Sequence, residues 1–87
     1  MPKRPSPDEF LTVLEDAYEA AKRIRRSIRM EDDIARGLGI DSLDAMELLL
    51  VLEQTYGAAL IDAPAIADVE TVGDLYDLLV LLTGPSP

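Results

Sequence analysis

Three stretches of the chain repeat apolar residues at helical spacing, and they organise everything else. From Pro7 onward, Phe10, Leu14, Ala17, Tyr18, Ala21, Ile24 and Ile28 fall on one helix face. Asp8, Glu15, Asp16, Glu19, Lys22, Arg23 and Arg26 fall on the other. Ser6 is placed to cap this first helix, Pro7 suits its first position, and Asp8 and Glu9 suit its first turn. A second helix is predicted from Ser42 to Tyr56, stopped by Gly57. The last begins at Thr71, with Val72, Leu75, Tyr76, Leu79 and Leu82 on one face. A short third helix fits Ala63–Asp68, with Asp62 as cap and Pro64 in its first turn. No segment alternates as a half-buried strand would. Residues 29–41, RMEDDIARGLGID, hold two glycines and no clean period. They read as a loop with Met30, Ile34 and Leu38 pinned into the core, and a loop this long in a small domain tends to carry function. The predicted fold is all-α: a small four-helix bundle with a long loop between helices one and two and a short third helix.

Helix two has one apolar face too many. At roughly 100° per residue, Ala45, Leu48, Leu49, Leu52 and Tyr56 cluster and serve as its core face. Leu43, Met46, Leu50 and Val51 point away from them, beside Glu47 and Gln54, with Asp44 and Glu53 at the flanks. One reading is a central helix covered on both sides. The other is an exposed apolar strip edged by carboxylates, suited to docking a basic partner surface, with the methionine giving adaptable contact.

Charge and composition narrow the chemistry. Residues 1–30 carry seven basic and five acidic side chains, net +2. Residues 31–87 carry twelve acids against Arg36 alone, net −11. Such a field repels nucleic acid. The cluster KRIRR, residues 22–26, reads as cations at the negative end of a helix dipole rather than as a phosphate-binding patch. With no cysteine and no histidine, the chain lacks a thiol nucleophile, the usual general base and the commonest metal ligands. No enzyme and no metal site is expected. No apolar run exceeds five residues, so no membrane span is expected either. MPKRPSPDEF lacks a hydrophobic signal core, which predicts a cytoplasmic protein. The 87 residues form one expected domain, 1–87, with a folded core at about 8–82 and short tails, MPKRPSP and TGPSP.

Candidate chemistry concentrates in "GIDSLDAMELL", residues 39–49. Taken alone, Asp41-Ser42 is a helix cap, with Asp44 three residues on as a local variant of the capping box. Ser42 has no histidine to activate it, and GIDSL is not the G-x-S-x-G elbow of hydrolases. The acids do not fit a calcium loop. A serine at a helix N-terminus is also a favourable place to hold a phosphodiester, so Ser42 as a substrate for modification stays open beside the cap.

"LGIDSLDAMELLLVLEQTYG", followed by "VETVGDL", resembles the acyl carrier protein family over roughly residues 8–82. Leu38, Gly39, Asp41, Ser42 and Leu43 match the family's motif. Ile34 matches an apolar loop position, Tyr56-Gly57 the end of helix two, and Thr71-Val72-Gly73-Asp74 the opening of the last helix. The resemblance implies that Ser42 is esterified by 4′-phosphopantetheine from coenzyme A, with Asp41 helping to present it to a phosphopantetheinyl transferase. It implies acyl or polyketide cargo held as a thioester and shown to a ketosynthase, an acyltransferase and other synthase enzymes. It also implies partner contacts at Leu43, Asp44, Met46, Glu47, Leu50 and Glu53, in a protein expected to be a monomer. Small residues such as Ala17 and Ala45 either leave room for cargo in the core or are plain packing. The chain departs from the family at Arg36-Gly37, where acids are common. The stretch before the last helix is longer and less acidic than usual, and the end of helix one is more basic. Arg36-Gly37 and the reduced acid count before the last helix lean toward a polyketide or other specialised pathway, and Arg36-Gly37 and the basic end of helix one bear on partner choice. A peptidyl carrier is the nearest alternative, but Gly39-Ile40-Asp41-Ser42 lacks the G-G-x-S pattern. An unmodified helical adaptor is the alternative from another class.

Overall fold

The computed structural model describes residues 5–83. Helix α1 spans Pro7–Lys22, α2 spans Ser42–Tyr56 and α3 spans Val72–Thr83, with a 3-10 helix at Pro64–Asp68 before α3. There is no strand among the described residues, only an isolated bridge between Asp33 and Thr71. The all-helical class holds. Three α-helices lie among the described residues, and the short third element is a 3-10 turn capped by Ala63 without a side-chain bond, not an α-helix capped by Asp62. Five residues opening on a proline are too few to repeat the α-type bond, and 3-10 closure is the usual outcome for so short a piece.

Local signals set α2 and the start of α1. The Ser6 hydroxyl accepts from Glu9 N at 3.2 Å, as an N-cap should. Gly57, at φ 71°, terminates α2 in the left-handed conformation that a Cβ disfavours. The end of α1 differs from expectation. Arg23 takes the left-handed conformation at φ 63° and the helix stops at Lys22, so the apolar stripe does not continue. Ile24 is 60% exposed, whereas Ile28 is buried from a loop that runs from Arg23 to Asp41.

Two arginines beyond α1 make specific bonds. Arg25 folds back onto Asp16 at 2.8 Å and Glu19 at 2.9 Å, and Arg26 donates to Gly37 O at 3.1 Å. Their role is to hold the long loop against α1. Glu15 adds to this by accepting from Ile28 N at 2.8 Å, and the buried Tyr18 hydroxyl donates to Leu38 O at 3.0 Å.

The other side of the loop is bonded to the start of α3. Ile34 N donates to Glu70 O, Val72 N to Asp32 O and Gly73 N to Met30 O, at 2.9, 2.9 and 2.7 Å. The last two satisfy helix N-terminal donors that have no partner within the helix. Thr71 and Asp74 complete a capping box: Asp74 N donates to the threonine hydroxyl, and the Asp74 carboxylate accepts from Glu70 N and Thr71 N.

The core joins Phe10, Leu14 and Tyr18 of α1 to Leu48, Leu52 and Tyr56 of α2 and to Val72, Leu75 and Leu79 of α3. Leu38, as predicted, is buried there, with Met30 and Ile34 packed at its edge. Leu82 was expected on the core face but is 42% exposed; Leu78 is buried in its place. The tails fall largely outside the described residues. Pro5, however, is buried and accepts a 2.8 Å hydrogen bond from the Tyr76 hydroxyl.

Gly37 has a steric reason to be glycine. A Cβ there would lie 2.7 Å from the carbonyl oxygen of Asp33 and 3.0 Å from its nitrogen. Gly37→Asp, which restores the acid common at this position in the resembling family, is expected to destabilise the fold by about 1–3 kcal/mol. Chemical denaturation measures it, and an unchanged midpoint would mean that the loop does not pack as described.

Candidate functional site

The loop ends in a corner that presents Ser42. Gly39 turns the chain at φ 64°, and Asp41 then enters α2 as its N-cap, accepting from Asp44 N at 2.9 Å. The cap is therefore Asp41, and Ser42 is the first helical residue. Ser42 is exposed, and its hydroxyl makes no hydrogen bond among the described residues. The capping-box variant is only half present, because the Asp44 carboxylate does not turn back to Asp41. It pairs with Lys22 of α1 at 3.0 Å, and Lys22 also donates to Gly39 O at 3.3 Å. One cation thus ties the corner, the first turn of α2 and α1 together. Nothing local in the sequence pointed to Lys22, because its partners lie far along the chain.

Beside Ser42 runs an open groove of about 420 Å³, lined by Asp33, Ile34, Ala35, Arg36, Ile40, Asp41, Ala45, Val69 and Glu70 as well as the serine. It shares Ile34, Ile40, Ala45 and Val69 with an apolar cavity of about 130 Å³. Leu14, Leu38, Leu48, Leu49, Ile66 and Leu75 complete the cavity. Its size is close to the engineered cavities of about 150 Å³ that admit a benzene ring. Ala45 lines both spaces and Ala17 lines neither, so Ala17 is plain packing. Ile40, Ile66 and Val69 were not singled out in the sequence. Their segments have no helical period from which a facing direction could be read.

The second face of α2 is uncovered. Leu43 is 69%, Met46 46%, Leu50 45% and Val51 36% exposed, with exposed Glu47 among them. Such a patch, beginning one residue after Ser42, is the kind of surface that proteins use for docking. Its flanking acids are less free. Asp44 is held by Lys22, and the half-buried Glu53 accepts from Ile61 N at 2.8 Å.

The model of the phosphopantetheine attachment site family matches residues 19–79, which include all of α2. A probable acyl carrier protein of Caulobacter vibrioides (strain NA1000 / CB15N) is 37% identical over 71 residues, covering 79% of this chain and 81% of the relative. The acyl carrier protein of Coprothermobacter proteolyticus (strain ATCC 35245 / DSM 5265 / OCM 4 / BT) is 31% identical over 71 residues, covering 82% of each. This chain belongs to the acyl carrier protein family. No solved structure matches it. Acyl carrier proteins are carriers and not catalysts, and phosphopantetheine is the prosthetic group of the family. Membership implies dealings, in general terms, with a phosphopantetheinyl transferase and with synthase enzymes. Among the described residues, no helix is long and apolar enough to cross a membrane.

Two carboxylates of this carrier fold titrate low. Backbone N–H groups hold Asp41 below its ordinary value, chiefly that of Asp44, and those of Thr71 and Glu70 do the same for Asp74. A depressed folded-state value contributes stability above the unfolded carboxylate pKa of about 4, and that contribution is lost as pH falls through the lower folded value. Stability should accordingly decline as pH drops below about 4. Denaturation midpoints across that range should fall less steeply in Asp74→Asn, and equal slopes would remove the cap's part in acid sensitivity.

Proposed function

We propose that Ser42 is the attachment site of 4′-phosphopantetheine and that the chain carries acyl or polyketide intermediates to partner synthases. The observation that carries this reading is the unpartnered, exposed Ser42 hydroxyl at the head of α2, in a groove that shares lining residues with an apolar cavity. The arm, once attached, supplies a terminal thiol that holds cargo as a thioester. The chain's own residues do the rest. Asp41 caps α2 and fixes the serine's direction. Lys22 locks the corner on which a transferase acts. Leu43, Met46, Glu47 and Leu50 form the docking strip, and Asp44 and Glu53 shape its edges while bonded within the chain. Ala45, small and lining both groove and cavity, leaves room there for an apolar chain.

Tethering keeps the intermediate at high effective concentration for each enzyme in turn. A polyketide or other specialised pathway is favoured over fatty-acid synthesis by Arg36-Gly37 and by the low acid content around the 3-10 helix. Intact mass spectrometry of the protein from its own host tests the reading. Arm and cargo should register together as added mass, and a chain that stays bare with coenzyme A and a competent transferase would refute it.

A further inference from the structure

We propose that Arg36 is a positioning residue that pairs with the phosphodiester formed on Ser42 and so sets the direction in which the arm leaves the serine. The proposal rests on the reading of Ser42 as the attachment site. Arg36 is the one cation among the residues lining the groove beside Ser42, against the carboxylates of Asp33, Asp41 and Glu70. A phosphodiester adds a further negative charge to that set, at a place where part of the usual compensation is already committed.

Two donors of the first turn of α2 serve the N-cap: Asp44 N bonds the Asp41 carboxylate and Ala45 N bonds Asp41 O. Lys22, the cation bonded at this corner, is engaged by Asp44 and Gly39 O. Arg36 differs on both counts. Its backbone is fixed, with Arg36 N donating to Asp33 Oδ1 at 2.8 Å, while its guanidinium has no partner among the described residues. A planar guanidinium binds phosphate oxygens through two parallel N–H donors, which gives direction as well as charge. This residue type at this position, inside a loop otherwise acidic from Glu31 to Asp41, is thereby explained.

The test compares unloaded and loaded forms of the wild type, Arg36→Gln, Arg36→Glu and Arg36→Lys, each treated with coenzyme A and a transferase. Intact mass establishes loading first. A purely structural role would lower the Tm of both forms alike, so the readout is the difference, loaded minus unloaded. That difference should be about 2–4 °C less favourable in Arg36→Glu than in wild type, with Arg36→Lys between them. The gap should close in about 1 M salt, where the screening length shrinks to about 3 Å. The Arg36 Nε–H resonance should also move on loading of the wild type. If every variant loads but the differences are equal, or the resonance stays in place, Arg36 has no such role and the attachment reading survives. If none gains mass, the attachment reading falls and takes this proposal with it.

Discussion

Ser42→Ala abolishes the mass increase that the wild-type chain gains from coenzyme A and a phosphopantetheinyl transferase. On the proposed reading the expected loss is complete, because the hydroxyl oxygen would be the atom bonded to phosphorus and a methyl group offers no substitute. The oxygen would attack the coenzyme A diphosphate at the phosphorus that bears pantetheine. The adenosine-containing half departs, and the proton passes to a base on the transferase. The fold should be unaffected. Ser42 caps nothing, its side chain makes no hydrogen bond among the described residues, and alanine is a good residue in a first helical turn. A Tm close to that of wild type, together with an unchanged mass, is the diagnostic pair. Ser6 is committed to capping α1, and Ser27 lies on the exposed part of the loop. Mass gained by Ser42→Ala would mean that one of the chain's other hydroxyls is the acceptor, and the site described above would be wrong.

Met46→Asp weakens docking to the transferase by about 30-fold or more, the effect of losing an interface residue worth about 2 kcal/mol. The substitution puts a carboxylate in the middle of the strip made by Leu43, Met46, Leu50 and Val51. There it must be desolvated against whatever apolar surface the partner presents. Met46 is 46% exposed, so the folded chain alone should tolerate the change. Ala20→Asp adds the same charge at an exposed position on α1 and serves as the control, expected to leave affinity near wild type. Equal affinities for the two variants would show that partners grip another face.

Much of this architecture was legible in the sequence because it is written locally. The span of α2 follows from its apolar period and the glycine after it, and its uncovered second face follows from the same period counted on the far side. The starts of α1 and α3 follow from short polar residues three positions before their bonding partners. What was not legible depends on contacts across the chain. The stripe of α1 runs on to Ile28 in the pattern, yet the helix ends at Lys22 because Arg23 turns left-handed and the next residues are drawn into the loop's bonds with Asp16, Glu19 and Gly37. Asp44 looked like half of a capping box and proved to be the partner of Lys22. Gly37 looked like a family departure with consequences for partners, and a backbone only 2.7 Å from its missing Cβ gives it a steric cause.

The bond from Ile34 N to Glu70 O and the bridge between Asp33 and Thr71 run between the two banks of the groove beside Ser42. Main chain therefore gauges the spacing of those banks, and the side chains of Ile34 and Val69 only upholster it. If the groove takes cargo as proposed, trading those two for larger or smaller aliphatics should alter the bore without moving the frame. Size selectivity would then drift through single substitutions while the scaffold stays as it is.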